Sequence, residues 1–518
     1  MFYCLAVVLI LASCVDLSEN ANILVVSASL SRSNQVWNNA IAFGLAERGH
    51  NVTIVTPDLP HVIKVNKNVF YIILEGAIAK FKPQIKTNVY DYNIPDLNEM
   101  KKVAKNNWDK AYRICEFYLN TQGLQTLLDY PSHIKFEVIL WDLENSECML
   151  PLIPKLGNPP VIVLSPNGFQ PTLNWIFGTH WKPYLPIPGL PYDKDMNFMR
   201  RFLNAITIKF MYYQKYEVYL KENINLANEK FKNYFTIDDA MNFELNFSLA
   251  LINSNFHMDY GRDVAQNKIV VGGLHINPLQ EAKTVTNVNV KRIFVSLQDD
   301  KLDKKQLQGI ADCLGSLDTF KVYWRVADVT GKIIKPKNIV FNETFNQIQI
   351  LGSKNTKLFI TSGNLLSLQE AVYFGVPILA IPSTYAQTNN VKKLSIATGA
   401  QGAINEKYLC RKIRGILNDE DYLENTKTNS GRFRDQPMKP LDRAVFWIEY
   451  VMRHGNGKHL EPLTRNMNYF ESENIDLLFF AALFFICLPL TGLYLLIKCI
   501  QRRTINNDVK FNIKIKQD

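Results

Sequence analysis

One stretch of the chain, Phe359 to Asn390, combines residue types and spacing that could hold a phosphorylated ligand. It begins with an apolar strand and continues through a turn, Ser362-Gly363-Asn364, into a helix predicted from about Leu366 to Phe374. Backbone N–H groups are unpaired at the start of a helix, and the helix dipole is positive there. The pattern therefore predicts a seat for phosphate over the turn.

A second candidate site lies near the start of the chain, where a buried strand, a polar turn and a helix follow one another. The strand begins at Asn22, the turn is Ser29 to Ser33, and the helix is predicted from about Asn34 to Arg48. Further along, the apolar run Phe136 to Trp141 ends in Asp142. Parallel sheets bind ligands at the carboxyl ends of their strands, so Asp142 could face a ligand. An alternative role for Asp142 is the cap of a helix.

The stretch from Phe359 to Asn390 resembles the donor-sugar signature of the membrane-bound UDP-glycosyltransferases. In that family the turn reads histidine, glycine, glycine, and the block ends in aspartate and glutamine. Those places are taken here by Ser362, Gly363, Asn364, Ala386 and Gln387. Two later blocks, Phe433 to Ala444 and Trp447 to His454, also match, and the resemblance covers the chain from Asn22 to Ile497.

The resemblance implies a fold class and a reaction. The fold would be α/β, with two Rossmann-like domains facing across a cleft (GT-B type) and one C-terminal transmembrane helix. The reaction would be the inverting, metal-independent transfer of a glycosyl group from a UDP-sugar to a small lipophilic acceptor. It would need no cofactor, since the UDP-sugar is a co-substrate.

The resemblance also assigns catalytic positions. The family's base is a histidine at the start of the first helix, and Asn34 stands in its place. Asparagine has no titratable proton near neutral pH and cannot take a proton from a hydroxyl group, but it is a good helix cap. Asp142 matches the aspartate that orients this histidine. Acting alone, with an ordinary pKa of about 4, it would be a weak base.

The residues that would contact the UDP-sugar are partly replaced. The positions concerned are Ser296, Gln298, Thr344, Gln347, Ser362, Gly363, Asn364, Ser367, Glu370, Ala386 and Gln387. Thr344 stands for a tryptophan that stacks on uracil, and Gln298, followed by two aspartates, stands in a tight glycine turn beside the diphosphate. Losing the stacking at Thr344 and a charged hydrogen bond at Ser362 predicts nucleotide binding weaker by about 10²–10⁴. Glu370 matches the ribose-binding acid, or is a solvated surface residue.

Length and composition support two domains. The chain has 518 residues, of which 47% are hydrophobic, enough for two full cores. We predict an acceptor-binding domain over 19–277, a polar linker over 278–290 and a UDP-sugar-binding domain over 291–474. Amphipathic helices from about Met196 to Lys232 are expected to wall the acceptor site, or simply to pack in the core. Their regularly spaced apolar residues are Met199, Phe202, Leu203, Ile206 and Phe210.

Two apolar segments indicate a membrane protein. The first, Phe2 to Ala12, is typical of a signal peptide, which we predict over 1–18. The second, Ile475 to Ile497, contains about 20 uncharged residues, enough to span a bilayer, with a buried core helix as the alternative. The tail 498–518 carries six Lys or Arg and two Asp, which predicts a cytosolic tail and a single-pass type I protein. Lysines third and fifth from the end resemble a dilysine retrieval signal and favour the endoplasmic reticulum membrane.

A lumenal protein can carry glycans and disulfides. Glycosylation sequons occur at Asn51, Asn246 and Asn342. Asn51 begins an apolar strand, where burial would prevent modification. Four cysteines lie in the predicted lumenal part, Cys115, Cys148, Cys313 and Cys410, and their spacing matches no zinc or thioredoxin motif. We therefore expect them to act as small buried hydrophobic residues.

Other chemistries fit the sequence poorly. Asp419-Glu420-Asp421 has the composition of a metal-holding acid cluster, but it lies in a polar stretch and is expected to be a solvated helix start. We expect no metal site, and the net charge of +10 accompanies no nucleic-acid-binding motif. Two functions remain. One is a UDP-glycosyltransferase of weakened or lost activity. The other is a non-catalytic protein that binds lipophilic ligands or pairs with related transferases, as a homo- or hetero-oligomer.

Overall fold

The computed structural model describes residues 20–59, 66–81, 97–190, 192, 194–232, 234–277, 290–297, 302, 304–326, 333–394 and 406–515. The predicted signal peptide, Gln298, the last three residues of the tail, and the linker apart from Val290 lie outside these ranges. The chain forms two compact units, Met1–Glu461 and Pro462–Asp518. The first unit contains two sheets, and the second contains the apolar C-terminal helix.

The first sheet positions the N-terminal candidate site. Its strands are β1 (Asn22–Val26), β2 (Asn51–Thr56), β3 (Val69–Ile73), β4 (Val138–Asp142), β5 (Val161–Ser165), β6 (Leu249–Ile252) and β7 (Lys268–Val270). They are parallel, in the order β3-β2-β1-β4-β5-β6-β7. Val26 pairs with Trp141, so β1 and β4 end together where the strand order reverses. Ligands bind at such switch points in open α/β sheets.

Helices cover both faces of this sheet, which is why most of its strands read as nearly continuous apolar runs. The helices are α1 (Arg32–Glu47), α2 (Ala77–Lys80), α3 (Leu97–Tyr118), α4 (Gln122–Leu128), α5 (Leu152–Lys155), α6 (Pro171–Ile176), α7 (Phe198–Tyr213), α8 (Leu220–Phe231) and α9 (Ile237–Leu245). A π-helical segment, Gln214–Tyr219, joins α7 to α8. One core cluster contains Tyr118 and Trp141, and another contains Trp37 and Ile41.

The second sheet carries the predicted phosphate seat. Its strands are β8 (Lys291–Ser296), β9 (Phe320–Arg325), β10 (Ile339–Phe341), β11 (Thr356–Thr361) and β12 (Ile378–Ala380). They are parallel, in the order β10-β9-β8-β11-β12. Thr361 pairs with Ser296 on one side and with Ala380 on the other. The ends of these three strands therefore share one edge of the sheet.

The helices of this second half include one that returns to the first sheet. They are α10 (Lys304–Gly315), α11 (Gln347–Leu351), α12 (Leu365–Phe374), α13 (Tyr385–Lys393), α14 (Glu406–Asn418), α15 (Glu420–Arg434) and α16 (Pro440–His454). In α16, Ala444 and Ile448 belong to the same core cluster as Trp37 of α1. This helix therefore packs on the first sheet although it follows the second sheet in the chain.

Two disulfides correct the interpretation of the cysteines. Cys115 of α3 is bonded to Cys148 after β4, and Cys313 of α10 is bonded to Cys410 of α14, with Cα–Cα distances of 5.9 and 5.6 Å. The expectation of unpaired hydrophobic cysteines was wrong because partners 33 and 97 residues apart form no local motif. In the chain-entropy model, closing loops of these lengths contributes about 4 and about 5 kcal/mol.

The second unit is dominated by one long helix. It contains α17 (Tyr469–Ser472) and α18 (Ile475–Ile515), which has Pro489 inside it. Within α18, Ile475–Thr504 contains an 18-residue window with a mean hydropathy of 2.3 and is, by length and composition, able to cross a membrane. None of this span is buried, so the alternative of a core helix is wrong. The helix itself continues past the predicted apolar run 475–497 into the basic tail.

Candidate functional site

The loops after β1 and β4 meet, as the strand order requires, and bring Asp142 against α1. Nδ2 of Asn38 donates to Oδ2 of Asp142 at 2.8 Å, and the backbone N–H of Glu144 donates to Oδ1 at 3.0 Å. Asp142 is buried at the carboxyl end of its strand. The capping alternative was wrong, because neither of these donors belongs to the first turn of a helix.

Burial changes the acidity of Asp142. Desolvation and the nearby carboxylate of Glu144 raise the pKa of Asp142 to about 8. The hydrogen bonds from the Glu144 N–H and from Asn38 lower this pKa but do not outweigh the two raising effects. Asp142 is therefore mostly protonated at neutral pH. The assumption of an ordinary pKa of about 4 was wrong because sequence alone did not show that the carboxyl group is fully enclosed.

Asn34 lies inside α1 and is not its cap. The N-cap is Ser31, and Nδ2 of Asn34 donates to Oε2 of Glu144 at 2.7 Å and to Oγ of Ser29 at 3.1 Å. Asn34 and Asp142 therefore have different partners, since Asp142 is bonded to Asn38. The buried Oδ1 atom of Asn34 has no hydrogen-bond partner among the described residues.

Glu144 is a site residue that the sequence analysis did not single out. Its Oε2 atom accepts from Oγ of Ser29 at 2.9 Å, from Asn34 and, at 3.3 Å, from Nδ2 of Asn167. Burial raises the pKa of Glu144, while these hydrogen bonds and the charge of Lys110 act in the opposite direction. Its position two residues beyond the end of β4 was the signal that could have identified it.

A cavity of about 620 Å³ lies between the two halves of the first unit, and we call it the interdomain cavity. From the first half its lining includes Leu30, Trp108, Ile114, Asp142, Glu144 and Met211. From the second half it includes Asn364, Leu365, Thr384, Ala386 and Gln387. The volume suits a small organic molecule, and the first half supplies both apolar and acidic groups. The structure thus brings Asp142 and the phosphate-seat turn to one cavity.

The helix predicted to wall the acceptor side contributes little of that wall. Met199 and Phe202 are exposed at the surface, and Leu203 packs against the core. From α7 and the following π-helical segment, Met211 and Tyr219 line the cavity. Helical spacing identified an apolar face correctly, but it could not show which part of that face meets the cavity.

The predicted strand, turn and helix of the phosphate seat are confirmed. β11 ends at Thr361, Asn364 is the N-cap of α12, and Gly375 ends the helix in the left-handed conformation. Gly363 has φ of +90°, and a Cβ there would lie 2.7 Å from Cγ2 of Val391. Only glycine fits this turn without strain. Ser362 beside it is buried.

Gln387 is retained from the family pattern, but its amide is already occupied. Its Oε1 atom accepts from the backbone N–H groups of Ser383 and Thr384 at 2.7 and 3.2 Å. Its Nε2 atom donates to Oδ1 of Asn364 at 3.1 Å. Gln387 thus completes a capping box at the start of α13. Its neighbour Ala386 is exposed in the cavity lining and offers no polar side-chain group.

Gln347 and Glu370 form a buried pair. Nε2 of Gln347 donates to Oε2 of Glu370 at 2.7 Å and to Oγ of Ser367 at 3.1 Å. Nε2 of His275 lies 3.2 Å from Oε1 of Glu370. The alternative of a solvated surface glutamate was therefore wrong. The buried Oε1 atom of Gln347 has no hydrogen-bond partner among the described residues.

The remaining donor-side residues offer few groups to a nucleotide. Thr344 is exposed, and its N–H and Oγ1 both donate to Oδ1 of Asn342 at 2.9 and 3.0 Å. The next aromatic residue, Phe345, packs edge to face on Tyr323. Oγ of Ser296 accepts from Arg325 at 2.6 Å.

The acidic stretch near residue 420 is a helix start, as expected. Asp419 is the N-cap of α15, and its Oδ1 atom accepts from the backbone N–H of Asp421 at 3.0 Å. Within the described ranges, the structure groups no three His, Cys, Asp or Glu side chains in an arrangement suited to a metal ion.

Two parallel sheets meeting at a cavity define the GT-B class of glycosyltransferase fold, and solved structures agree. The glycotransferase of kitacinnamycin superposes with a TM-score of 0.52 at 15% identity, covering 83% of this chain and 98% of that one. The calicheamicin glycosyltransferase CalG4 gives 0.51 at 13% identity, covering 84% and 100%. At such identities the likeness establishes the fold alone.

The family follows from sequence comparison. The model of the family UDP-glucoronosyl and UDP-glucosyl transferase matches residues 21–510, so the chain belongs to this family. UDP-glucosyltransferase 2 of Dactylopius coccus is 27% identical over 483 residues, covering 89% of this chain and 90% of that protein. Human UDP-glucuronosyltransferase 1A1 is also 27% identical, covering 88% and 86%.

Proposed function

We propose that this family member binds a small lipophilic molecule in the interdomain cavity, and that sugar transfer from a UDP-sugar is slow or absent. One observation carries the proposal: the positions that match the family's nucleotide contacts, Thr344, Ser362 and Ala386, have no aromatic ring or charged group. Gln387, which is retained, has its amide hydrogen bonded within the protein. These features support weak nucleotide binding, while the first half retains an acidic and partly apolar cavity wall.

The expected loss can be estimated. Stacking of a base on an aromatic ring contributes about 1–3 kcal/mol, and a hydrogen bond to a charged phosphate about 1.5–3 kcal/mol. Losing both weakens nucleotide binding by about 10²–10⁴.

Active sugar transfer is the second candidate function, and one observation favours it. Asp142 and Glu144 both line the cavity, and burial raises the pKa of each. Glu144 and the ionised fraction of Asp142 would each be a stronger general base than an ordinary carboxylate. An inverting transfer to a hydroxyl or amine acceptor could therefore proceed without a histidine at residue 34.

The cellular setting is part of the proposal. An apolar N-terminus, the span Ile475–Thr504 and the basic tail support a single-pass type I protein of the endoplasmic reticulum membrane. Asn246 and Asn342 are exposed and suit glycosylation, whereas Asn51 is partly buried and bonded to Asn22. Oligomers with itself or with related transferases are compatible with this setting, and nucleic acid is not a proposed partner.

The two functions are separated by one experiment on the full chain in lipid nanodiscs. Binding of 4-methylumbelliferone, a fluorescent phenol, is titrated, and its conversion is then followed with UDP-glucose and with UDP-glucuronic acid. We expect saturable binding without measurable conversion. Turnover at about 1 s⁻¹ or faster, an ordinary enzyme rate, would contradict the proposal and establish the transferase. Absence of binding would remove both functions for this class of ligand.

A further inference from the structure

The carboxylate of Glu144 is held by one of its two oxygens. Three side chains donate hydrogen bonds to Oε2 of Glu144: the Ser29 hydroxyl and the Asn34 and Asn167 amides. None of the described residues donates a hydrogen bond to Oε1 of Glu144. Because Glu144 lines the interdomain cavity and is only partly buried, this oxygen is a fixed acceptor available to a ligand.

Two further acidic side chains accompany Glu144. The carboxyl groups of Asp142 and Glu147 also line the cavity. Oδ1 of Asn34, a residue only 1% exposed, has no partner among the described residues, while its Nδ2 atom is already bonded to Glu144. The Asn34 amide therefore holds the Glu144 carboxylate in place from within the protein.

Positive charge facing this region is limited. Lys110 of α3 lines the cavity and is the cation that acts on Glu144. Lys215 is fully buried and paired with Glu244 at 2.7 Å. Two tyrosines also face these acids: the hydroxyl of Tyr118 donates to the carbonyl oxygen of Ala28, and that of Tyr219 donates to Oε2 of Glu147. Burying carboxylates is unfavourable unless a cation or donors compensate them, so a cationic ligand would be stabilised here.

We propose that the ligand of the interdomain cavity is a lipophilic amine whose protonated nitrogen binds Oε1 of Glu144. Its apolar body would lie against Leu30, Trp108, Ile114 and Met211, which line the same side of the cavity. This inference rests on the proposed function, because it specifies the ligand class of the same cavity. It assigns selectivity to Glu144, a residue outside the set that the family pattern marks as catalytic.

The test compares two probes that differ in one group, biphenyl-4-ylmethylamine and biphenyl-4-ylmethanol. Binding to the full chain in phosphatidylcholine nanodiscs is measured at about pH 8, where a primary amine is protonated, with empty nanodiscs as the blank. We expect the amine to bind at least about tenfold more tightly than the alcohol, because its hydrogen bond is made to a charged group. Glu144→Gln should abolish this preference while leaving the alcohol's affinity within about threefold.

Glu116→Gln is the matched control, since Glu116 lies on α3 but is exposed outside the cavity. It should retain the preference for the amine. Equal binding of the two probes to the native chain, or a preference that survives in Glu144→Gln, would overturn the inference and leave the lipophile-binding function intact. Failure of both probes to bind would instead remove the proposed function itself, and the inference with it.

Discussion

The two halves of the interdomain cavity use their polar groups differently. In the first half, Glu144 and Asp142 both line the cavity, and Oε1 of Glu144 accepts no hydrogen bond from the described residues. In the second half, Gln387 is bonded to Asn364 and to the loop before α13, and Gln347 to Glu370. Polar side chains there mainly bond to one another. A strand, turn and helix can therefore keep the geometry of a phosphate seat after the side chains that select a nucleotide are changed.

The largest expected effect comes from restoring the second half. The double variant Thr344→Trp/Ser362→His supplies a ring for uracil and a hydrogen-bond donor beside the phosphate seat. We expect UDP affinity to rise by about 10²–10⁴ in calorimetric titration. Thr344→Val/Ser362→Ala is the control, because it also removes the sequon at Asn342 but adds no contact. An unchanged affinity in the first variant would mean that these positions do not limit nucleotide binding.

The first half should show an unusual dependence of stability on pH. The pKa of Asp142 in the folded state, about 8, lies above its unfolded value of about 3.9. The folded state therefore binds the proton more tightly, and stability falls as pH rises from about 4 to about 8. Glu147, with a pKa raised to about 7 chiefly by burial, acts in the same direction.

Asp142→Asn should remove part of this dependence, because an amide does not ionise. The variant remains hydrogen bonded, since the new amide oxygen can accept from Nδ2 of Asn38 as Oδ2 of Asp142 does. Between pH 5.5 and pH 8 we expect the thermal midpoint of the native chain to fall by about 5 °C more than that of the variant. Equal falls would show that Asp142 titrates normally.

A substitution in the turn after β11 should have a smaller effect, seen as a loss of folding stability. Gly363→Ala places a Cβ 2.7 Å from Cγ2 of Val391 at a φ of +90°. We expect a destabilisation of about 1–3 kcal/mol, read from the thermal midpoint. Gly415→Ala, inside α14 with open space around it, is the control and should be neutral or stabilise by up to about 1 kcal/mol. An unchanged thermal midpoint in Gly363→Ala would mean that folding stability does not require this backbone turn.

The smallest effect is expected from restoring the family base in the first half. Asn34→His should change the rate of transfer from UDP-glucose by less than about tenfold, because the donor side limits the reaction and Asp142 is already bonded to Asn38. Asn34→Ala serves as the control. A rate of transfer more than about 100-fold higher would contradict this expectation, since it would show that the first half, and not the donor side, limits the reaction.

Much of the fold was predictable from the sequence, and less of the site. Apolar runs ending in small or polar residues identified β1, β4 and β11, and Gly363 marked the turn after β11. The cross-strand partners were not predictable, because Asn38 and Asp142 are 104 residues apart and meet only after β1 and β4 pair.

The burial of individual acidic side chains was the second property that the sequence did not show. Asp142 and Glu370 were each assigned an alternative exposed or capping role, and both are buried. The raised pKa of Asp142 and the pairing of Glu370 with Gln347 depend on how completely helices cover the strand ends. The disulfides needed the same three-dimensional information. Residue types alone therefore located the cavity but not its electrostatics.

Calorimetric titration of the full chain with UDP tests the central claim most directly. We predict no measurable heat of binding up to about 1 mM UDP, because the donor half lacks the ring and the charged contacts that hold a nucleotide. A dissociation constant in the micromolar range would contradict it.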